Sequence, residues 1–226
     1  MKICSVADVH ITPSGRPHER PVLTTPDADV LTVSGDLTIG GTIEQLIQFR
    51  QWLLAQPQKH KVVIAGNHDF CFEDKRSFEA QTIIGGNGIT YLQDQETTID
   101  GVRFYGSPWQ PWWHDWAFNL LRGQEIAKKW EKIPEGIDVL LVHGPPHGYG
   151  DRVVRGERVG CEELTRAIDK KKPKVVCFGH IHEDTGVWTR NDSLLVNCSV
   201  GYRVGHKDLA SREPFVFEIV DGVVKY

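Results

Sequence analysis

Five short apolar runs, each broken off by a cluster of Asp, Asn or His, constrain this chain more than any other feature. Ile3 to Ala7 runs into Asp8-Val9-His10, and Val30 to Val33 into Gly35-Asp36. Val62 to Ala65 runs into Gly66-Asn67-His68-Asp69, Val139 to Val142 into His143-Gly144, and Val175 to Phe178 into Gly179-His180-Ile181-His182. Runs this short, rich in Val and Ile and bounded by Gly, read as buried strands.

Helical patterns lie between them. Thr42 to Ala55 carries Ile43, Leu46, Ile47, Phe49, Leu53 and Leu54 at helical spacing, with Thr42 and Gln45 forming a capping box and Pro57 as the stop. Ser77 to Ile84 runs into Gly85-Gly86, and Gln124 to Glu131 and Glu162 to Lys170 are each followed by a proline. Strand–helix alternation predicts an α/β protein with largely parallel strands. The end of the chain differs. Phe215 to Val220, Asp221-Gly222 and Val223 to Tyr226 make a hairpin signal, hence an antiparallel pair. Val102 to Tyr105 and Leu194 to Val196 add further strands. At 226 residues the chain suits one domain, 1–226.

Open α/β sheets gather ligands beyond the carboxyl ends of their strands, where all five clusters sit. That geometry collects Asp8, His10, Asp36, Asn67, His68, His143, His180 and His182 on one rim. Asp8 and His10, two apart in an extended segment, face the same way and can grip one cation. Taken singly, each cluster has a plainer reading: a polar strand end, a Gly-Asp or Gly-Asn turn, or a surface histidine pair. Their conjunction points to metal, and mixed carboxylate and imidazole donors suit Mn²⁺, Fe or Zn²⁺.

The order D-x-H, G-D, G-N-H-D, H, G-H-x-H resembles the calcineurin-like metallophosphoesterase superfamily, with every signature position filled. Val63-Ile64-Ala65-Gly66-Asn67-His68, Tyr91-Leu92-Gln93-Asp94, Tyr105 to Trp112, Trp116-Ala117-Phe118-Asn119, Ile133 to Leu140, His143-Gly144-Pro145-Pro146 and Asn197-Cys198-Ser199-Val200 are similar to its metallophosphoesterase-domain-containing branch. The resemblance covers nearly the whole chain. It implies a four-layer α/β/β/α sandwich of two mixed sheets, with a dinuclear metal site at the strand ends. One metal would be held by Asp8, His10, Asp36 and His182. A second would share Asp36 and add Asn67, His143 and His180. His68 resembles the catalytic histidine that faces the phosphate and leaving group, and Asp69 would orient its ring. Some members of the branch lack the first histidine of the last motif; here it is His180. The implied cofactors are two divalent ions, Mn foremost, with Fe or Zn as alternatives. The implied reaction is hydrolysis of small phosphodiesters, cyclic nucleotides among the candidates, by in-line attack of a hydroxide bridging the metals. The alternatives are a phosphomonoesterase or protein phosphatase using the same site, and a non-catalytic scaffold that binds proteins.

Composition limits the partners. A net charge of −4 excludes a broadly basic protein coating nucleic acid, so no polymeric nucleic acid is expected. No apolar run approaches the roughly 20 residues of a membrane span, so no membrane partner is expected. The apolar part of Met1 to Ala7 is too short for a secretory signal. Five cysteines without a CxxC pair suit a reduced, cytoplasmic protein. Asp8 and Asp36 supply two of the negative charges, and two divalent cations there would turn the pocket positive. Homo-oligomerisation is left open.

Four of the seven tryptophans fall within Trp109 to Trp116. Packing onto the core is expected for that run as a whole, with Trp112 and Trp113 exposed and available to stack on a nucleobase. His147 is either a substrate contact or an exposed loop histidine. Arg152, Arg155, Arg158 and Arg203 are phosphate-contact candidates, weighed against ordinary surface charge.

Overall fold

The structure is a computed structural model, described here for residues 1–12, 23–201 and 213–226. The first half runs β1 (Lys2–Val6), β2 (Val30–Ser34), α1 (Ile43–Leu54), β3 (His60–Ile64), α2 (Ser77–Ile84), β4 (Ile89–Tyr91), β5 (Gln95–Ile99) and β6 (Val102–Ser107). The short pair β7 (Gln110–Pro111) and β8 (Asn119–Leu120) leads into α3 (Gln124–Trp130) and β9 (Val139–Val142). Then come α4 (Glu162–Lys171), β10 (Val175–Phe178), β11 (Gly186–Arg190), β12 (Ser193–Asn197), β13 (Phe215–Val220) and β14 (Val223–Lys225).

Two six-stranded mixed sheets result. One has the order β14-β13-β1-β2-β3-β4, the other β11-β12-β10-β9-β6-β5. Within the first, β1 to β4 are parallel and the C-terminal hairpin adds antiparallel strands beside β1. Within the second, β6, β9, β10 and β12 are parallel, and β5 and β11 close the edges antiparallel.

Side chains alternate across a strand, so each continuous apolar run feeds two cores at once. Ile3, Val30, Val62 and Ile64 of the first sheet meet Phe104, Val139, Leu141, Val175 and Cys177 of the second in a central core. The intervening residues Cys4, Leu31, Val33 and Val63 face outward onto Leu46, Phe49 and Leu53 of α1 and Ala80 and Ile84 of α2. Leu140, Val142, Val176 and Phe178 likewise meet Ile126 and Trp130 of α3 and Leu164 and Ile168 of α4. Three apolar cores between four layers make an α/β/β/α sandwich, the architecture the resemblance implies.

Local signals place the elements. Thr42 caps α1 and Gln45 reaches back, completing the capping box. Asp221 and Gly222 at φ 50° and 77° form the tight turn of the β13–β14 hairpin. The rim of the sandwich is stitched by main chain. Ala7 N–H donates to Cys198 O at 3.0 Å and Val200 N–H to Ala7 O at 2.9 Å, which ties the end of β1 to the end of β12. The two sheets therefore meet where their strands finish.

Candidate metal centre

Asp8, His10, Asp36 and His180 all stand at positive φ, between 48° and 67°. That left-handed conformation is uncommon outside glycine, though Asp and His tolerate it best, and it costs on the order of 1–3 kcal/mol per residue. An extended segment would present Asp8 and His10 on one face. Instead β1 ends at Val6, and each left-handed residue turns the chain back along the rim. The convergence is as expected, but backbone turns produce it, held by Asp8 N–H to Gly35 O and His10 N–H to Asp36 O, both 3.0 Å.

Two donor clusters form around Asp36. Asp8, His10, Asp36 and His182 compose one, and Asp36, His143 and His180 the other, with the ligand atoms of each within 4.8 Å of one another. His10 Nε2 lies 3.6 Å from Asp36 Oδ2, and His182 Nε2 lies 3.5 Å from Asp8 Oδ1. His143 Nε2 is 3.3 Å from Asp36 Oδ1. Asn67 completes the second group, its Oδ1 2.8 Å from His143 Nε2 and 2.6 Å from His180 Nδ1. Glycine makes this density possible. A Cβ on Gly66 would overlap the backbone N and carboxylate of Asp36, and one on Gly201 would sit 2.7 Å from His182 Cε1.

Charge is unevenly settled in this protein-only cluster. Burial opposes ionisation of Asp8, yet His182 and His143 outweigh it and hold its carboxyl well below the usual range. Asp36 is likewise held low, burial being overcome by His143, His68 and His10. Burial pushes His10 down to about 4 and His180 down to about 3. His143 goes the other way, up to about 9, because Asp36 and Asp8 overcome its burial. Its geometry agrees: Nδ1 faces Ser34 O at 3.1 Å while Nε2 faces Asn67 and Asp36, so both ring nitrogens see acceptors. The neighbouring Asp36 carboxylate, 3.3 Å from Nε2, favours the charged form of the ring. Asn67 Nδ2 and His10 Nδ1 are buried with no hydrogen-bond partner among the described residues. Imidazoles, ionised carboxylates and an amide oxygen packed to this density fit a pair of divalent cations of the Mn, Fe or Zn type, which bind each imidazole in its neutral form.

His68 stands at the mouth. Its Nδ1 bonds Ile39 O at 2.9 Å, and its Nε2 lies 3.9 Å from Asp36 Oδ2. This corrects the expectation for Asp69. Its carboxylate accepts from Leu37 N–H (3.0 Å), Thr38 N–H (2.9 Å), Thr38 Oγ1 (2.7 Å) and Gly66 N–H (2.8 Å) and makes no bond with the His68 ring. Asp69 therefore joins the loop of Asp36 to the loop of Asn67.

The tryptophan run is less packed than expected. Only Trp109 packs against the cores, its indole N–H donating to Asp94; Trp112, Trp113 and Trp116 are 55%, 59% and 37% exposed. Trp116 lies beside His68, with ring centroids 4.7 Å apart, a neighbour that the sequence reading passed over in favour of Trp112 and Trp113. The half-buried His147 has no hydrogen bond or ring contact from its side chain to the cluster among the described residues; its main chain bonds Cys161 and Thr165. Arg158 pairs with the buried Asp151 at 2.5 Å, while Arg152 and Arg155 are exposed. Arg203 lies outside the described residues.

Comparison with known proteins follows the same lines. The sequence profile of calcineurin-like phosphoesterases matches residues 1–184. Metallophosphoesterase domain-containing protein 1 of Homo sapiens is 40% identical over 199 residues, covering 77% of this chain and 60% of that protein. UPF0046 protein C25E10.12 of Caenorhabditis elegans is 37% identical over 211 residues, covering 86% of this chain and 74% of its own. The chain thus spans about 60% of the length of its human relative. Among solved structures, phosphopantetheinyl hydrolase from Mycobacterium tuberculosis superposes with a TM-score of 0.63 at 14% identity, over 89% of each chain. At that identity the likeness concerns the fold alone.

Proposed function

The chain belongs to the calcineurin-like phosphoesterase family, and on that premise we propose that it is a dinuclear-metal phosphodiesterase acting on small phosphodiesters, cyclic nucleotides among them. The observation that carries this reading is Asp36, shared by two clusters of metal-type donors with a histidine nitrogen 3.9 Å from its carboxylate. Asp8, His10, Asp36 and His182 would hold one cation, and Asp36, Asn67, His143 and His180 the other. Manganese is the favoured ion, since oxygen and imidazole donors are mixed. When bound, two such ions supply Lewis acidity toward a phosphoryl oxygen and lower the pKa of bound water.

The rest of the chemistry belongs to side chains. His68 keeps Nδ1 on a carbonyl, which can only accept, so Nδ1 carries a proton and Nε2 is the nitrogen free to exchange one. Turned toward the cluster, Nε2 is placed to give a proton to the departing ester oxygen. Asp69 holds the Asp36 and Asn67 loops in register for that event.

A cytoplasmic location belongs to the same reading, supported by five free cysteines that are all buried. Among the described residues no helix is long and apolar enough to cross a membrane. The test is a comparison of bis-p-nitrophenyl phosphate, p-nitrophenyl phosphate and cyclic nucleotides with the manganese-loaded protein. Faster turnover of the diesters is expected; monoester preference would replace this reading with a phosphomonoesterase.

A further inference from the structure

Trp109 to Leu120 forms an arch whose fastenings are unusually many for an exposed loop. At its base, Asp94 accepts from the Ser107 hydroxyl (2.8 Å), the Trp109 indole (3.0 Å) and the Lys129 ammonium (3.0 Å), and Lys129 also lies 3.7 Å above the Trp109 ring. Trp112 N–H bonds Leu120 O at 2.8 Å, and Asn119 Nδ2 bonds His114 O at 2.7 Å. At its far side, Phe118 N–H bonds Glu73 at 2.9 Å, and Ala117 N–H bonds the carbonyl of Asn67 at 3.1 Å. The arch is therefore tied directly to a candidate ligand residue.

What these fastenings hold out is aromatic. Trp113, His114, Trp116, His68 and His10 form a row with successive ring centroids 4.7, 5.9, 4.7 and 4.9 Å apart, running from solvent to the donor cluster. Leaving an indole exposed forgoes the burial that would otherwise stabilise the fold. A rigid loop that nonetheless displays one beside the site is preorganised to receive a flat apolar group. Trp116 adjoins His68, with ring centroids 4.7 Å apart, so a base stacked on the exposed part of the indole would lie beside a phosphate held at the cluster.

We propose that Trp116 is a specificity-determining residue, the platform on which the nucleobase of a nucleotide ester stacks. Asp94 acts as the positioning residue that anchors the arch. This rests on the phosphodiesterase reading and narrows its substrates to nucleotide esters. Base–indole stacking contributes roughly 1–3 kcal/mol, equivalent to about 5- to 150-fold in affinity.

The experiment compares two probes that differ only in the base, adenosine 5′-monophosphate and ribose 5-phosphate, by calorimetry and by quenching of tryptophan fluorescence on the manganese-loaded protein. The wild type is expected to bind the nucleotide at least fivefold more tightly. Trp116→Leu, which keeps apolar bulk without a ring, should bring the two affinities together and lower the quenching, and Trp116→Phe should restore part of the difference. Equal affinities in the wild type, or an unchanged ratio in Trp116→Leu, would overturn the platform while diester turnover stands. Absence of bis-p-nitrophenyl phosphate turnover together with failure to bind either probe would instead remove the phosphodiesterase reading, and the platform with it.

Discussion

His68 Nδ1 donates to the carbonyl oxygen of Ile39 at 2.9 Å, so a neutral main-chain acceptor fixes the tautomer of the ring nearest the donor cluster. A carbonyl orients an imidazole without carrying a charge of its own, and the bond leaves Nε2 turned toward the cluster, 3.9 Å from Asp36 Oδ2.

His68→Gln is therefore expected to lower turnover by about 10²- to 10⁴-fold while leaving metal content unchanged. Metal analysis beside kcat on bis-p-nitrophenyl phosphate checks this. Parallel loss of metal and activity would place His68 among the ligands.

Asp69→Asn should act on the fold. Its carboxylate gathers four donors from Leu37, Thr38 and Gly66, and hydrogen bonds to a charged group are each worth about 1.5–3 kcal/mol. Unfolding in urea should show a loss of about 3 kcal/mol or more. The pH dependence of kcat in the folded fraction should keep its shape, because Asp69 does not bond the His68 ring. A displaced acid limb would return Asp69 to a role in tuning that histidine.

Asp36→Ala should abolish both metal positions, since both clusters include this carboxylate. Inductively coupled plasma measurement of the purified variant should find well under one ion per chain. Two retained ions would refute the shared role.

Protonation predicts a pH dependence for the metal-free protein. His143 is held up at about 9, above its unfolded value near 6.5, so its contribution to stability is full below about pH 6.5 and is lost as pH rises through about 9. Asp8 and Asp36 are held low, so their contributions are present above about pH 4 and are lost only in stronger acid. A cation must displace the His143 proton. Manganese affinity should therefore rise with pH toward about 9, and uptake at about pH 7.5 should release protons from His143 and also from His182, which, against its burial, Asp8 holds above its ordinary value. Calorimetry in buffers of different ionisation enthalpy measures that release directly.

Local patterns were legible and long-range partners were not. The capping box of Thr42 and Gln45 and the Asp221-Gly222 turn act on residues a few positions away, and both elements form where the sequence places them. Edge strands β5 (Gln95–Ile99) and β11 (Gly186–Arg190) carry no continuous apolar run, because one face of each is exposed; only their neighbours in the sheet define them. The same division holds at the rim. Strand-end Asp, Asn and His could be read as convergent, since parallel strands finish on one side. The left-handed turns at Asp8 and Asp36, and the stitch between Ala7 and Ser199, depend on main-chain partners that no side-chain pattern records. Ile39 is likewise invisible as the partner of His68, because any residue could supply that carbonyl. Among the tryptophans, spacing could not single out Trp116, whose contact with His68 lies beside the long-range main-chain bond from Ala117 to Asn67.

The most direct test of the dinuclear phosphodiesterase is a manganese titration of metal-free protein, with bis-p-nitrophenyl phosphate hydrolysis followed at each addition. Turnover should rise and saturate at two equivalents per chain, as expected of two clusters joined through Asp36. Saturation at one equivalent, or no turnover at any manganese level with two ions bound, would contradict the account.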